Sequence, residues 1–143
     1  MIRLRNTAPA VNFRADLPAW MEPKGAAYIE IDARPAGRIN NAFMAGMEAA
    51  QFAHRIAEGA DDRAKQEFGK ATFAVVYDTC VLEWRTNLIN DETGEALTCD
   101  RDTFLELADV RVAEVSRAFM DFYSALMDAG KRAIEDTEAT VKN

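Results

Sequence analysis

Val81-Leu82-Glu83-Trp84-Arg85-Thr86-Asn87-Leu88-Ile89-Asn90-Asp91-Glu92-Thr93-Gly94-Glu95-Ala96-Leu97 is the stretch on which the fold turns. Its first half reads as the end of an apolar helix that finishes on a tryptophan. An asparagine follows, then an acidic turn closed by glycine, then a leucine. Asp91-Glu92-Thr93-Gly94 carries Asp at the first turn position and Gly at the fourth, the preference of a type I turn. Asp100 then stands where it caps a new helix just before the apolar pair Phe104-Leu105. The segment is predicted to be a rigid corner between two helices, pinned by Trp84. It contains nothing that resembles a catalytic constellation.

Upstream of the corner the expected helix covers 62–87. Phe68, Ala71, Val75 and Leu82 fall on one face, with Val76, Cys80 and Trp84 alongside. Its centre is apolar nearly all round, which predicts the most buried helix of the fold. Downstream, a short helix is expected over 101–109 and a long one over 110–137. The long helix carries Val112, Val115, Phe119, Phe122, Leu126, Ala129 and Ala133 in steps of three and four, an a/d heptad seam. Met120, Tyr123 and Met127 flank that seam. One stripe suffices to dock a helix on its own domain, and a stripe widened by Met and Tyr suits a second, exchangeable partner.

On the N-terminal side, residues 1–35 hold Pro9, Pro18, Pro23 and Pro35, all four prolines of the chain. Over 1–25, which hold three of them, ordered helix beyond a turn is not expected. Residues 27–33 alternate around Ile29 and Ile31, which predicts a half-buried strand. Its partner lies within 1–14, where Ile2, Leu4, Val11 and Phe13 also alternate. From 37 to 59 the period becomes helical: Ile39, Phe43, Met47 and Ala50 form a stripe that Met44, Phe52 and Ile56 broaden. Gly59 followed by Asp61-Asp62 reads as a helix stop and a new start. The expected fold is mainly α, about four helices with a small N-terminal β-strand pair. It forms a single domain over 1–143: a Pro-rich segment 1–35, a helical body 36–137 and a frayed tail 138–143.

The 143 residues, roughly half apolar, can bury a real core. A net charge of −7 argues against a binder of nucleic-acid phosphates, which needs a basic face. No signal peptide or membrane span is visible, so the expected location is the cytoplasm. Cys80 and Cys99 have no zinc-like spacing, and Cys80 reads as a small buried side chain. His54 is the only histidine and lies among apolar neighbours, so a structural role outweighs a catalytic one. An EF-hand reading of the acidic corner fails. Counted from Asp91, Gly94 falls at position 4 rather than 6, and Asp102 rather than Glu occupies position 12. No cofactor, no metal and no enzymatic activity is expected. An enzyme using carboxylates and a metal would need acidic residues facing one another in a pocket. Trp84 and Trp20 read first as core anchors and second as interface anchors.

The order of features resembles the tail assembly chaperones of long-tailed, siphovirus-type bacteriophages and prophages. Trp20, Glu22 and Pro23 precede Ala27-Tyr28-Ile29-Glu30-Ile31 and Pro35. Later, Trp84, Asn87, Asp91, Glu92, Gly94 and Leu97 fall in the family's order. The two segments cover under half the chain. Where such proteins often start a helix with Ser/Thr-Pro-Glu, this chain has Thr98-Cys99-Asp100-Arg101-Asp102, and Asp100 keeps the cap. The resemblance implies a non-enzymatic protein of the host cytoplasm that binds the tape-measure protein, tail-tube protein subunits or both during tail assembly. Trp84, Phe119, Met120, Tyr123 and Met127 are the residues expected to meet a partner. The rival reading is a phage structural or adaptor protein that uses the same seam as a homo-oligomer interface.

Overall fold

The computed structural model describes residues 9–18, 21, 26–54 and 61–142, the side chains of 140–142 excepted. Its elements run β1 (Val11–Asp16), β2 (Tyr28–Ala33), α1 (Asn41–Ala53), α2 (Asp62–Thr79), β3 (Val81–Thr86), α3 (Arg101–Asp109) and α4 (Ala113–Lys142). The strands form one antiparallel sheet in the order β1-β2-β3. The fold is therefore mixed α and β, with four helices beside a three-stranded sheet among the described residues. This corrects the mainly α reading with a two-strand pair.

The correction lies in the decisive stretch. The helix predicted over 62–87 ends at Thr79, with Cys80 as its C-cap. Residues 81–86 then form β3, with Trp84 opposite Ile31 and Arg85 opposite Glu30 on β2. Val81, Trp84 and Thr86 are residue types that suit a half-buried strand. Glu83 and Arg85 alternate with Trp84, a period of two that puts the charges on one face. The predicted strand over 27–33 corresponds to β2, and the described part of its partner is β1. Ile2 and Leu4 lie outside the described residues, as do Trp20, Glu22, Pro23, Ile56 and Gly59.

The sheet has two unlike faces. Val11, Phe13 and Ala15 lie opposite Ala33, Ile31 and Ile29 on the inner face. There Ile29, Ile31 and Ala33 are almost wholly buried. The outer face is polar. The Arg85 guanidinium forks to Glu30 at 2.9 Å and Asp32 at 3.0 Å. Asn12 donates to Asp32 at 2.7 Å, and the Arg14 guanidinium lies over the Tyr28 ring, 4.3 Å from its centroid. The hydrogen bonds from Asn12 and Arg85 hold the Asp32 carboxyl below the usual carboxylate range.

The helices cover the inner face, and α3 supplies the centre of the core. Asp100 accepts from the Thr103 N–H at 2.9 Å, the cap expected of it. That contact keeps the Asp100 carboxyl below its ordinary range. The cap starts a short helix whose Phe104 is fully buried. Its ring centroid lies 5.0 Å from Tyr77, 5.6 Å from Trp84 and 5.1 Å from Phe119. Phe122 joins from α4 and also meets Phe13 of β1, at 5.5 Å. Edge-on and tilted rings at these separations add to the burial itself. Val115, Phe119, Phe122 and Leu126 of the predicted seam are buried. α4 begins after the extended segment 110–112 and continues past the predicted end at Thr137 to Lys142.

One buried polar residue joins three elements. Asn40 caps α1 by accepting from the Phe43 N–H at 3.0 Å. Its amide donates to the Pro35 and Thr79 carbonyls, each at 3.1 Å. The segment before it runs tightly against α4: the Ala36 N–H donates to the Leu126 carbonyl at 3.1 Å. Gly130 makes room for this approach, since a Cβ there would collide with the Ala36 carbonyl.

The corner after β3 is one residue longer than a type I turn on 91–94. It begins at Asn90, whose side chain accepts from the Glu92 N–H at 2.9 Å. The Gly94 N–H returns to the Asn90 carbonyl at 2.7 Å. Gly94 has φ +69°, the left-handed region that favours glycine. Asn90 thus initiates the turn in the position assigned to Asp91, because its side chain mimics a backbone turn.

Candidate functional interface

The five residues expected to meet a partner divide between core and surface. Trp84 and Phe119 are 3% and 2% exposed. Both pack on Phe104, so neither is offered to another molecule in this conformation. The Trp84 Nε1–H has no hydrogen-bond partner among the described residues. Met120 is 58% exposed. Tyr123 and Met127 are half-buried on the same flank of α4. Tyr123 meets the Phe73 ring edge-on at 6.4 Å, and burial raises its phenol pKa. The Met127 thioether lies against Gly37, which holds φ +86°.

The flank continues toward the C-terminal end of α4 as a cavity of about 320 Å³. Met127 and Ile134 give it apolar walls, and Arg38, Lys131, Glu135 and Glu138 give it a charged rim. Salt-bridging or hydrogen-bonding partners for Arg38 and Lys131 are absent among the described residues. The arrangement can accept an apolar side chain and hold polar groups of either sign around it. It offers no nucleophile beside a base.

A second exposed apolar surface lies on α1. Phe43 and Ala50 bury the inner side of this helix. Met44 is 44% and Phe52 74% exposed, against the expectation that they broaden the buried stripe. α1 sits too close to α2 to turn that side inward: a Cβ at Gly46 would come 2.7 Å from Val75 Cγ1. Hydrophobic periodicity does not flag this surface, because apolar residues occupy every face of the helix. The signal that finds it is charge: Glu48 is the one charged residue from Asn41 to Ala53.

Several acidic residues are placed as partners of local groups. Glu30 and Asp32 share Arg85, and Asp78 receives a forked Arg101 at 2.8 and 3.0 Å. Asp109 accepts from Gln66 at 3.0 Å. Among the described residues no group of three or more His, Cys, Asp and Glu side chains is gathered as metal ligands would be. His54 is the C-cap of α1. Cys80 is buried, which pushes its thiol pKa up, and Cys99 is exposed. Among the described residues no helix is long and apolar enough to cross a membrane.

The two segments that carry the family resemblance meet in space. Asn87 accepts from the Tyr28 N–H at 2.9 Å and donates to the Ala26 carbonyl at 2.7 Å. Trp84 lies in register with Ile31, and the Leu97 N–H closes on the Leu88 carbonyl at 3.2 Å. No family model, curated protein or solved structure matches the chain.

Proposed function

We propose that the protein is a non-enzymatic tail assembly chaperone of the long-tailed phage type, which covers apolar helical stripes of a tape-measure or tail-tube protein until assembly. The observation that carries this reading is the Asn87 bridge. It ties the residues around Tyr28 to the segment that holds Trp84 and Leu97, so the described part of the first motif and the second motif are hydrogen-bonded to each other.

The mechanism follows from surface chemistry. A long helical chain with apolar stripes aggregates unless those stripes are covered. Met120, with Tyr123 and Met127 beside it, supplies polarizable and adaptable contact area on a rigid helix. Such a surface binds a helix face and releases it, because little of the contact depends on a fixed geometry. The net charge of −7 keeps the free chaperone apart from its own copies and speeds encounter with basic segments.

Co-expression tests the proposal. A tape-measure protein of a long-tailed phage is produced with and without this chain, and its soluble fraction is measured. Purified particles are then examined by mass spectrometry. A chaperone raises the soluble fraction and is missing from the particles. An unchanged soluble fraction contradicts the proposal, and a stoichiometric amount in the particles favours the structural or adaptor reading.

A further inference from the structure

We propose that the free edge of β1 takes an extended segment of another protein as an added strand of the sheet. On the side that faces α4, this segment carries small or apolar residues and a Lys or Arg. The site does not include the Met120 flank of α4, and the inference stands whether or not the partner is a tail protein.

The backbone identifies the occupant. β1 is an outer strand of the sheet. In an antiparallel pair, opposite residues alternate between pairs that exchange hydrogen bonds and pairs that turn their N–H and C=O groups away. The Leu17 N–H donates to the Ala27 carbonyl at 2.8 Å, in the register that sets Ala15 opposite Ile29. Leu17, Ala15, Phe13 and Val11 therefore turn their polar backbone groups toward β2. Tyr28, opposite Asp16, agrees: its N–H donates to Asn87 and its C=O accepts from the Thr86 hydroxyl, both on the β3 side. The N–H and C=O groups of Asn12, Arg14 and Asp16 thus point off the edge of the sheet, without partners among the described residues. Donors and acceptors that repeat at every second residue match another extended backbone.

The edge is unprotected, and a groove runs beside it. Bulges and prolines usually blunt an exposed edge. β1 keeps an unbroken register from Val11 to Asp16, with Pro9 and Pro18 only beyond its ends. The opposite edge, β3, is interrupted by the register shift at Asp32/Ala33. Between β1 and α4 lies a cavity of about 620 Å³. Phe13, Ala15 and Ala118 give it an apolar floor, and Glu114, Arg117 and Asp121 line it along α4. None of these three charges has an ion pair among the described residues, whereas Arg14 pairs with Asp16 at 3.1 Å. Acid outnumbers base along α4, so Lys or Arg on the inward side of the added strand is favoured and Glu is opposed. A second copy fits poorly. Two-fold pairing of β1 brings two such acidic walls together and adds a further charge of −7.

The probe is a displayed library of peptides about eight residues long, with Val and Thr at alternate positions and Lys, Glu, Gln and Ala randomised at the others. It is selected against the full chain and, separately, against Arg14→Pro. Proline there removes an outward N–H and leaves the bonds between β1 and β2 in place. Circular dichroism checks that the variant is folded, and Glu114→Lys/Asp121→Lys, which reverses the charge of the groove, serves if it is not. Lys-containing peptides should be enriched on the full chain and should bind either variant about tenfold or more weakly by fluorescence anisotropy. Amide hydrogen exchange by NMR then reads the strand itself. In the free protein the Phe13 and Ala15 amides should be protected and those of Asn12, Arg14 and Asp16 should not; bound peptide should protect all five. Several outcomes overturn the proposal: no enrichment, a preference for Glu, binding that leaves the outward amides unprotected, or unchanged binding by a folded variant. Protection of the outward amides in the free protein would do so too. If it rises with concentration, a second copy is the occupant; if it does not, the chain covers its own edge.

Discussion

The Asn40 side-chain amide donates to the Thr79 carbonyl across 3.1 Å, so the cap of α1 is also the clasp on the end of α2. This bond ties the exit of β2 to the entry of β3. Asn40→Ala removes the cap and leaves the Pro35 and Thr79 carbonyls without their donor. The expected loss is about 2–4 kcal/mol, a cap plus the cost of buried unsatisfied groups. Urea denaturation measures it. A loss as small as that of an exposed surface substitution would mean that water replaces the amide.

Gly130 and Gly69 should respond in opposite directions to alanine. A Cβ at Gly130 meets the Ala36 carbonyl, whereas one at Gly69 meets nothing within 4 Å. Gly130→Ala should cost about 1–3 kcal/mol, the usual cost of overpacking. Gly69→Ala, in the interior of α2, should add about 0.5–1 kcal/mol. Thermal unfolding of the two variants side by side reads the signs directly.

Trp84→Ala should cost about 3–5 kcal/mol, as emptying a large core site does. Trp84→Phe should cost less than half as much. It keeps an aromatic ring against Phe104 and discards an indole N–H that has no partner among the described residues. An unfolding midpoint of Trp84→Ala within error of wild type would show that Trp84 carries no core packing.

Acid should weaken the sheet through Asp32. Its carboxyl is held below the ordinary range, first by Asn12 and then by Arg85. A carboxyl depressed in the folded state binds more protons when unfolded. Its contribution is therefore complete above the ordinary carboxylate pKa of about 4 and is lost as pH falls through the folded value. Asp32→Asn should flatten the fall in stability below about pH 4. Denaturant midpoints between neutral and acid pH compare the two proteins, and parallel curves would contradict the assignment.

Local features were legible in the sequence. The α3 boundaries and the Asp100 cap follow from a short-range rule, and the buried line Val115, Phe119, Phe122 and Leu126 is a property of one helix. β3 was not legible, because Val76, Cys80 and Trp84 at four-residue steps imitate the continuing stripe of α2. What makes 81–86 a strand is its pairing with β2, some fifty residues earlier: Trp84 opposite Ile31 and Arg85 opposite Glu30. The alternation of Glu83 and Arg85 was the available sign. Sequence could name Trp84 and Phe119 as anchors but not the side they face. Phe104 draws both inward and leaves Met120 as the exposed member of the set.

Partner capture by a Met120→Glu variant tests the chaperone function most directly. Met120 is exposed, so the charge is solvated and the fold should be unaffected. Met127 is less suitable, because it also lies against Gly37. Wild type and variant are compared by circular dichroism and then by pull-down of the co-produced tape-measure and tail-tube proteins. The expected result is a folded variant that captures roughly tenfold less partner than wild type, about 1.4 kcal/mol of binding. Equal capture by the folded variant, or no capture by wild type, would contradict the proposed role of the α4 flank.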